Sequence, residues 1–187
     1  TLTWCPLKFG ELVSVGVYHT LMSEVKWYKE YVWKSFIFFF SETHAWTGNF
    51  VTISNKMKKI AIAADHGGFE LKDSMVEYIK SLGNEVMDLG TNSADSVDYP
   101  DYAKKVCEEI QQGNSDLGIL ICGTGIGMSL AANKFEGIRA ACVSDVYSAK
   151  MSRNHNNANV LCIGARVIGD EVAKLIIKTF LENEFEA

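Results

Sequence analysis

Cys122-Gly123-Thr124-Gly125-Ile126-Gly127 sets a thiol immediately ahead of three glycines at alternating positions. As a thiolate, cysteine is a base and proton carrier. The glycines let backbone N–H groups turn toward a ligand, and a helix opening at this point would add its N-terminus. Together they make a cradle for a phosphate or for an oxyanion formed during reaction. The run is not a dinucleotide fingerprint, because GTGIGMSL lacks the third glycine of GxGxxG. It is not a P-loop either, because no Gly-Lys-Ser/Thr follows. A thiol at its ordinary pKa of ~8.5 is only about 3% ionised at pH 7. A helix N-terminus worth ~1 kcal/mol raises that to roughly 15%. A thiolate at rest therefore needs hydrogen bonds, or the substrate itself, in addition. The bland alternative is a tight turn that binds nothing beside an inert buried cysteine.

Other chemistry-bearing residues fall near predicted element ends. Asp65-His66-Gly67-Gly68 follows an apolar run and reads either as a capping turn or as part of a site. Arg153-Asn154-His155-Asn156-Asn157 closes a predicted helix. His155 is a general acid–base candidate and Asn156 an oxyanion donor, although both residue types also suit a helix C-cap. Arg166 would bind phosphate or pair with an acidic neighbour. Their common position at strand ends predicts a single site.

The elements that must carry these residues alternate. Strands are expected at Lys58–Ala64, Glu85–Leu89, Leu117–Ile121, Ile138–Val143 and Val160–Ile163. Helices are expected at about Phe69–Leu82, Asp101–Gln112, Ile126–Phe135, Asp145–Asn154 and Gly169–Glu182. The first is read from Leu71, Met75, Val76 and Ile79, and Gly83 stops it. Five such units predict a Rossmann-like three-layer α/β/α sandwich with a five-stranded parallel sheet. Ligands then bind beyond the carboxyl ends of the strands, where strand order reverses. If strands one and three are neighbours, the loops after Ala64 and Ile121 line one crevice.

Composition breaks near Met57. Residues 1–56 hold all four Trp and six of the ten Phe but no Asp, and keep neither helical nor strand periodicity for long. We expect Met57 to be the natural start, with 1–56 an N-terminal extension from upstream translation or cloning. Residues 57–187 are expected to form the functional domain. The net charge of −5 gives no electrostatic support for nucleic-acid or anionic-membrane partners. The longest aromatic run, Phe36–Phe40, is far short of the ~20 residues that span a bilayer. Five Cys without metal-site spacing, most in apolar surroundings, predict free thiols in a soluble cytoplasmic protein.

Residues 57–187 closely resemble the type B ribose-5-phosphate isomerases, a family that also includes galactose-6-phosphate and allose-6-phosphate isomerases. The matching stretches are Asp65–Phe69, Gly90-Thr91, Asp98–Pro100, Ile121–Gly127 running on to Ala131–Lys134, Gly137–Ala140, Ser152–Asn156 and Arg166–Gly169. The resemblance implies conversion of ribose 5-phosphate to ribulose 5-phosphate through a cis-enediolate, without metal or cofactor. It implies that Cys122 moves the proton between the sugar carbons and that Thr124 assists transfer between the oxygens. Backbone N–H groups from Gly123 through Gly125 to Gly127, with Asn156, would hold the enediolate. His155 and Asp65 would open the ring, and His66 and Arg166 would bind phosphate. It also implies a homodimer, or a tetramer of two, with residues acting across subunits.

The family continues past Ala187 with a basic Gly-Gly-Arg-His tail that grips phosphate. The sequence is expected to be truncated there, and this form to be a poor catalyst. Two alternatives stand beside the main expectation. One is an isomerase of allose or galactose 6-phosphate, and the other a non-catalytic sugar-phosphate sensor on the same fold.

Overall fold

The computed structural model describes residues 57–186; the expected 1–56 extension lies outside the described residues. Five strands and five helices alternate: β1 Lys59–Ala64, α1 Phe69–Ser81, β2 Glu85–Asp88, α2 Tyr99–Gln111, β3 Leu117–Cys122, α3 Ile126–Ala132, β4 Ala140–Cys142, α4 Val146–Asn154, β5 Val160–Gly164 and α5 Asp170–Glu182. All strand pairs are parallel, in the order β2-β1-β3-β5-β4. Neighbouring β1 and β3 are joined by connections that leave in opposite directions, so the predicted crevice lies between their carboxyl ends.

The central strands β1, β3 and β5 are apolar along their length and buried on both faces, as parallel strands between helix layers must be. Two hydrophobic clusters fill the two sides of the sheet. Ile60, Ile62, Ile119 and Ile163 meet α1, α4 and α5 through Met75, Ala149 and Phe180. Ala61, Ala63, Leu120 and Cys162 meet α2 and α3 through Val106 and Met128. This is the predicted α/β/α sandwich. Among the described residues, no helix is long and apolar enough to cross a membrane.

Three elements, α2, α3 and β4, differ from expectation by more than one residue. α2 begins at Tyr99 rather than Asp101, with Asp98 in an extended N-cap conformation and Pro100 inside the first turn. α3 stops at Ala132 rather than Phe135 because the Asn133 carboxamide is spent on β4. Its Oδ1 accepts the Ala140 N–H at 2.9 Å and its Nδ2 donates to the Ala140 carbonyl at 2.8 Å. β4 is correspondingly only three residues. On α1, the buried stripe is Lys72, Met75, Val76 and Ile79, with Leu71 only half-buried. A lysine thus occupies the position that hydrophobic periodicity alone assigns to an apolar residue.

Candidate active site

Cys122 is the last residue of β3 and is 6% exposed. Its Sγ accepts the Gly125 N–H at 3.1 Å. The turn thus aims a backbone N–H at the sulfur. Gly125 has φ +79, and a Cβ added there would lie 3.0 Å from both Cys142 Sγ and the Ile163 carbonyl carbon. Only glycine takes this conformation without strain, and it is this conformation that points its N–H at Cys122.

The neighbouring strand ends close on the same place. Asp65 N–H donates to the Ile121 carbonyl at 3.2 Å, and the Ala165 N–H to the Cys122 carbonyl at 2.8 Å. Gly68 lies so close to β3 that a Cβ would be 2.6 Å from the Ile121 carbonyl oxygen. The Asp65 carboxylate, 7% exposed, accepts the Gly67 N–H at 2.8 Å. It closes a turn ahead of α1 rather than capping that helix, whose N-cap, Gly68, has no side-chain hydrogen bond. His66 Nδ1 accepts the Val97 N–H at 3.2 Å, so the neutral ring carries its proton on Nε2.

Gly123 and Thr124 N–H groups have no hydrogen-bond partner among the described residues. The exposed Thr124 hydroxyl accepts the Ile126 N–H at 3.3 Å. The Arg166 side chain runs beside Gly123, its Cδ 3.6 Å and Nη1 3.8 Å from where a Cβ would stand. Tyr99 covers Gly127, its ring 3.2 Å from the equivalent point. α3 has seven residues, so the cradle rests more on the free loop amides than on a macrodipole.

The structure thus brings together Cys122, Thr124, Asp65, His66, Gly123, Gly125, Gly127 and Arg166. It does not bring His155 and Asn156 to them. His155 is the C-cap of α4, and β5 begins only at Val160. Val160 pairs with Gly118 of β3, whereas Cys122 pairs with Gly164. Four residues of parallel strand at ~3.3 Å each put this corner about 13 Å from Cys122 along the sheet. The expectation that His155 and Asn156 share a strand-end position with the other residues is corrected accordingly: helices run back across a parallel sheet, so residues closing α4 emerge at the amino edge.

That corner is nonetheless firmly built. Arg153, 9% exposed, donates to the carbonyls of Ala158 at 2.5 Å and Asn183 at 3.3 Å and lies over the Phe180 ring. Asn154 Nδ2 donates to Glu186 at 2.6 Å, and Asn157 takes the left-handed conformation at φ 48. His155 and Asn156 are left exposed.

Burial pushes the Cys107 thiol up to about 11 and raises Cys162 well above the ordinary range. Cys142, exposed on β4, touches the Thr124 carbonyl at 3.7 Å. Among the described residues no cluster of His, Cys, Asp and Glu could hold a metal ion. A cavity of about 550 Å³ beside α2, lined by Val97, Asp98, Tyr102 and Lys105, borders the loop that holds His66 but does not include Cys122.

Sequence reasoning passed over Lys72, and named Tyr99 and Arg153 only within longer motifs, without a part of their own in this architecture. Spacing could have found the first, because positions 72, 75, 76 and 79 define one helix face.

Residues 60–187 match the family model for the ribose/galactose isomerases. The chain is 52% identical to ribose-5-phosphate isomerase B of Escherichia coli over 130 residues, covering 70% of this chain and 87% of that one. It is 46% identical to a D-erythrulose-4-phosphate isomerase of Pectobacterium atrosepticum over 131 residues, covering 70% and 86%. The crystal structure of a ribose 5-phosphate isomerase from Thermotoga maritima superimposes with a TM-score of 0.68 at 52% identity, covering 70% of this chain and 90% of that one.

Proposed function

This chain belongs to the ribose/galactose isomerase family, and on that premise we propose that it interconverts a phosphorylated aldose and its ketose, with Cys122 as the base. The favoured pair is ribose 5-phosphate and ribulose 5-phosphate, the substrate named for most of the similar proteins. The observation that carries the mechanism is the Gly125 N–H aimed at Cys122 Sγ, beside the amides of Gly123 and Thr124, which are unpaired among the described residues.

The Cys122 thiolate takes the proton from C2 of the open-chain aldose. Negative charge then spreads over O1 and O2 of a cis-enediolate, and the free loop amides meet it. One such donor is worth about 10²–10³ in rate. The protonated sulfur returns the proton to C1, and the Thr124 hydroxyl carries a proton between O1 and O2. Asp65 assists opening of the furanose ring, while His66 Nε2–H and the Arg166 guanidinium hold the phosphate. His155 and Asn156 act from a second copy of the chain, since about 13 Å of sheet separates them from Cys122 in their own. The protein is thus read as a homodimer working in the cytoplasm, where free thiols persist.

The galactose isomerases of the matched family keep a hexose phosphate in play as an alternative substrate, and the P. atrosepticum relative a tetrose phosphate. Turnover measured side by side on ribose 5-phosphate, allose 6-phosphate and D-erythrulose 4-phosphate tests the proposal. We expect the highest kcat/KM on ribose 5-phosphate. Absence of both turnover and solvent-proton exchange on all three would overturn the isomerase reading in favour of a sensor.

A further inference from the structure

Lys72 is fully buried, yet none of the chemistry above uses it. It faces the sheet from the first turn of α1, and its ammonium donates to Asp88 Oδ2 at the end of β2, with Asp73 at 3.1 Å on its other side. Isolated charges are not carried into a core without a return, and a lone surface pair would be worth little. The arrangement continues past the pair. Asp88 Oδ1 accepts the Gly90 N–H at 2.9 Å. Gly90 presses onto the lysine stem so closely that a Cβ there would lie 2.6 Å from Lys72 Cδ and 2.8 Å from the Ala64 amide nitrogen. Leu89 and Thr91 are tied to β1 through the Ile62 and Ala64 carbonyls at 2.8 and 3.1 Å. The segment so anchored ends at Val97, whose N–H fixes His66 Nδ1.

We infer that Lys72 is a positioning residue for His66: with Asp88 it pins the base of the 89–98 loop, and the loop's far end holds the imidazole in its Nε2–H tautomer and orientation. A polar pair at this point fixes both a charge partner and a backbone N–H, which an apolar residue in the same volume cannot do. The consequence for binding rests on the function proposed above, but the effect on the imidazole does not.

The test is histidine-selective ¹⁵N NMR on the whole chain at a pH where the rings are neutral, with the His66 signals identified by their loss in His66→Asn. In the wild type, His66 is expected as a single Nε2–H tautomer. In Lys72→Met it should relax toward a mixture of tautomers, while Lys80→Met, on the exposed side of α1, changes nothing. If Lys72→Met leaves Asp88 unpaired and does not fold, Lys72→Met/Asp88→Asn removes both charges and reads the same quantity, because replacing a whole buried pair is often near neutral. A folded variant in which His66 keeps the wild-type tautomer overturns the inference, whatever its turnover. With ribose 5-phosphate as substrate, Lys72→Met should show KM raised about tenfold at a kcat within threefold, the signature of lost ground-state binding. Should the wild type turn over no sugar phosphate, the proposed function fails alone, and the tautomer still decides the role of Lys72.

Discussion

The carboxyl edge of the sheet and the corner at the end of α4 both hold candidate catalytic groups, but by different means. At the carboxyl edge, main chain packs on main chain: Gly68 lies against Ile121, Gly125 against Ile163, and the Gly125 amide points at Cys122. Around His155 the work falls to side chains. Arg153 gathers two carbonyls under the Phe180 ring, and Asn154 ties the C-terminal segment. A backbone-built edge tolerates no new Cβ but is indifferent to most surface changes. A side-chain-built corner has the opposite sensitivity. The difference also divides the chemistry, since the Cys122 thiol and the His155 imidazole sit at opposite edges of one subunit.

The largest effect should come from the thiol itself. Cys122→Ala is expected to lower turnover of ribose 5-phosphate, and exchange of its C2 proton with solvent deuterium, by at least ~10³, while Cys142→Ala retains both. Equal loss in the two variants would remove the distinction drawn between the cysteines. Next comes Gly125→Ala, which meets Cys142 Sγ and Ile163 and turns the N–H from Cys122. A loss of about 10² in kcat is expected, comparable to removing one oxyanion donor, with KM little changed. An active Gly125→Ala would show that the edge yields more readily than its contacts imply.

The smallest effect concerns stability. Cys107 keeps its proton in the folded protein up to about pH 11, whereas an exposed thiol releases it near 9.0. The folded state therefore binds more protons across that window. Stability contributed by this group is complete below pH 9 and lost as pH rises toward 11, by roughly 2 kcal/mol. Urea midpoints at pH 8 and 10.5 should fall less in Cys107→Ala than in the wild type, and no change in activity at pH 8 is expected. Parallel slopes would contradict the assignment.

Much of this was legible in the sequence because local pattern and global fold agree. Apolar β1, β3 and β5 and the amphipathic α1, α2 and α5 announced a parallel sheet, and the Cys122–Gly127 loop announced where its chemistry lies. What was not legible depends on long-range pairing. Strand order is absent from periodicity, so nothing in the text of the chain placed β5 between β3 and β4. The place of His155 was legible in principle, because in a parallel sheet any helix that follows a strand ends at the amino edge. α3 was read too long because the Asn133 bonds to Ala140 are tertiary. Lys72 was passed over because a lysine on an apolar stripe reads as an interruption until its partner, Asp88, is seen.

The division between the two edges has one direct consequence in solution. Cys122→Ala and His155→Ala chains, each inactive alone, are co-expressed with different affinity tags so that the mixed dimer can be isolated. In a two-fold dimer one of its two sites then draws an intact Cys122 from one chain and an intact His155 from the other. The mixed dimer should recover about half of wild-type turnover of ribose 5-phosphate. A mixed dimer as inactive as its two parents would contradict the shared site on which the proposed chemistry depends.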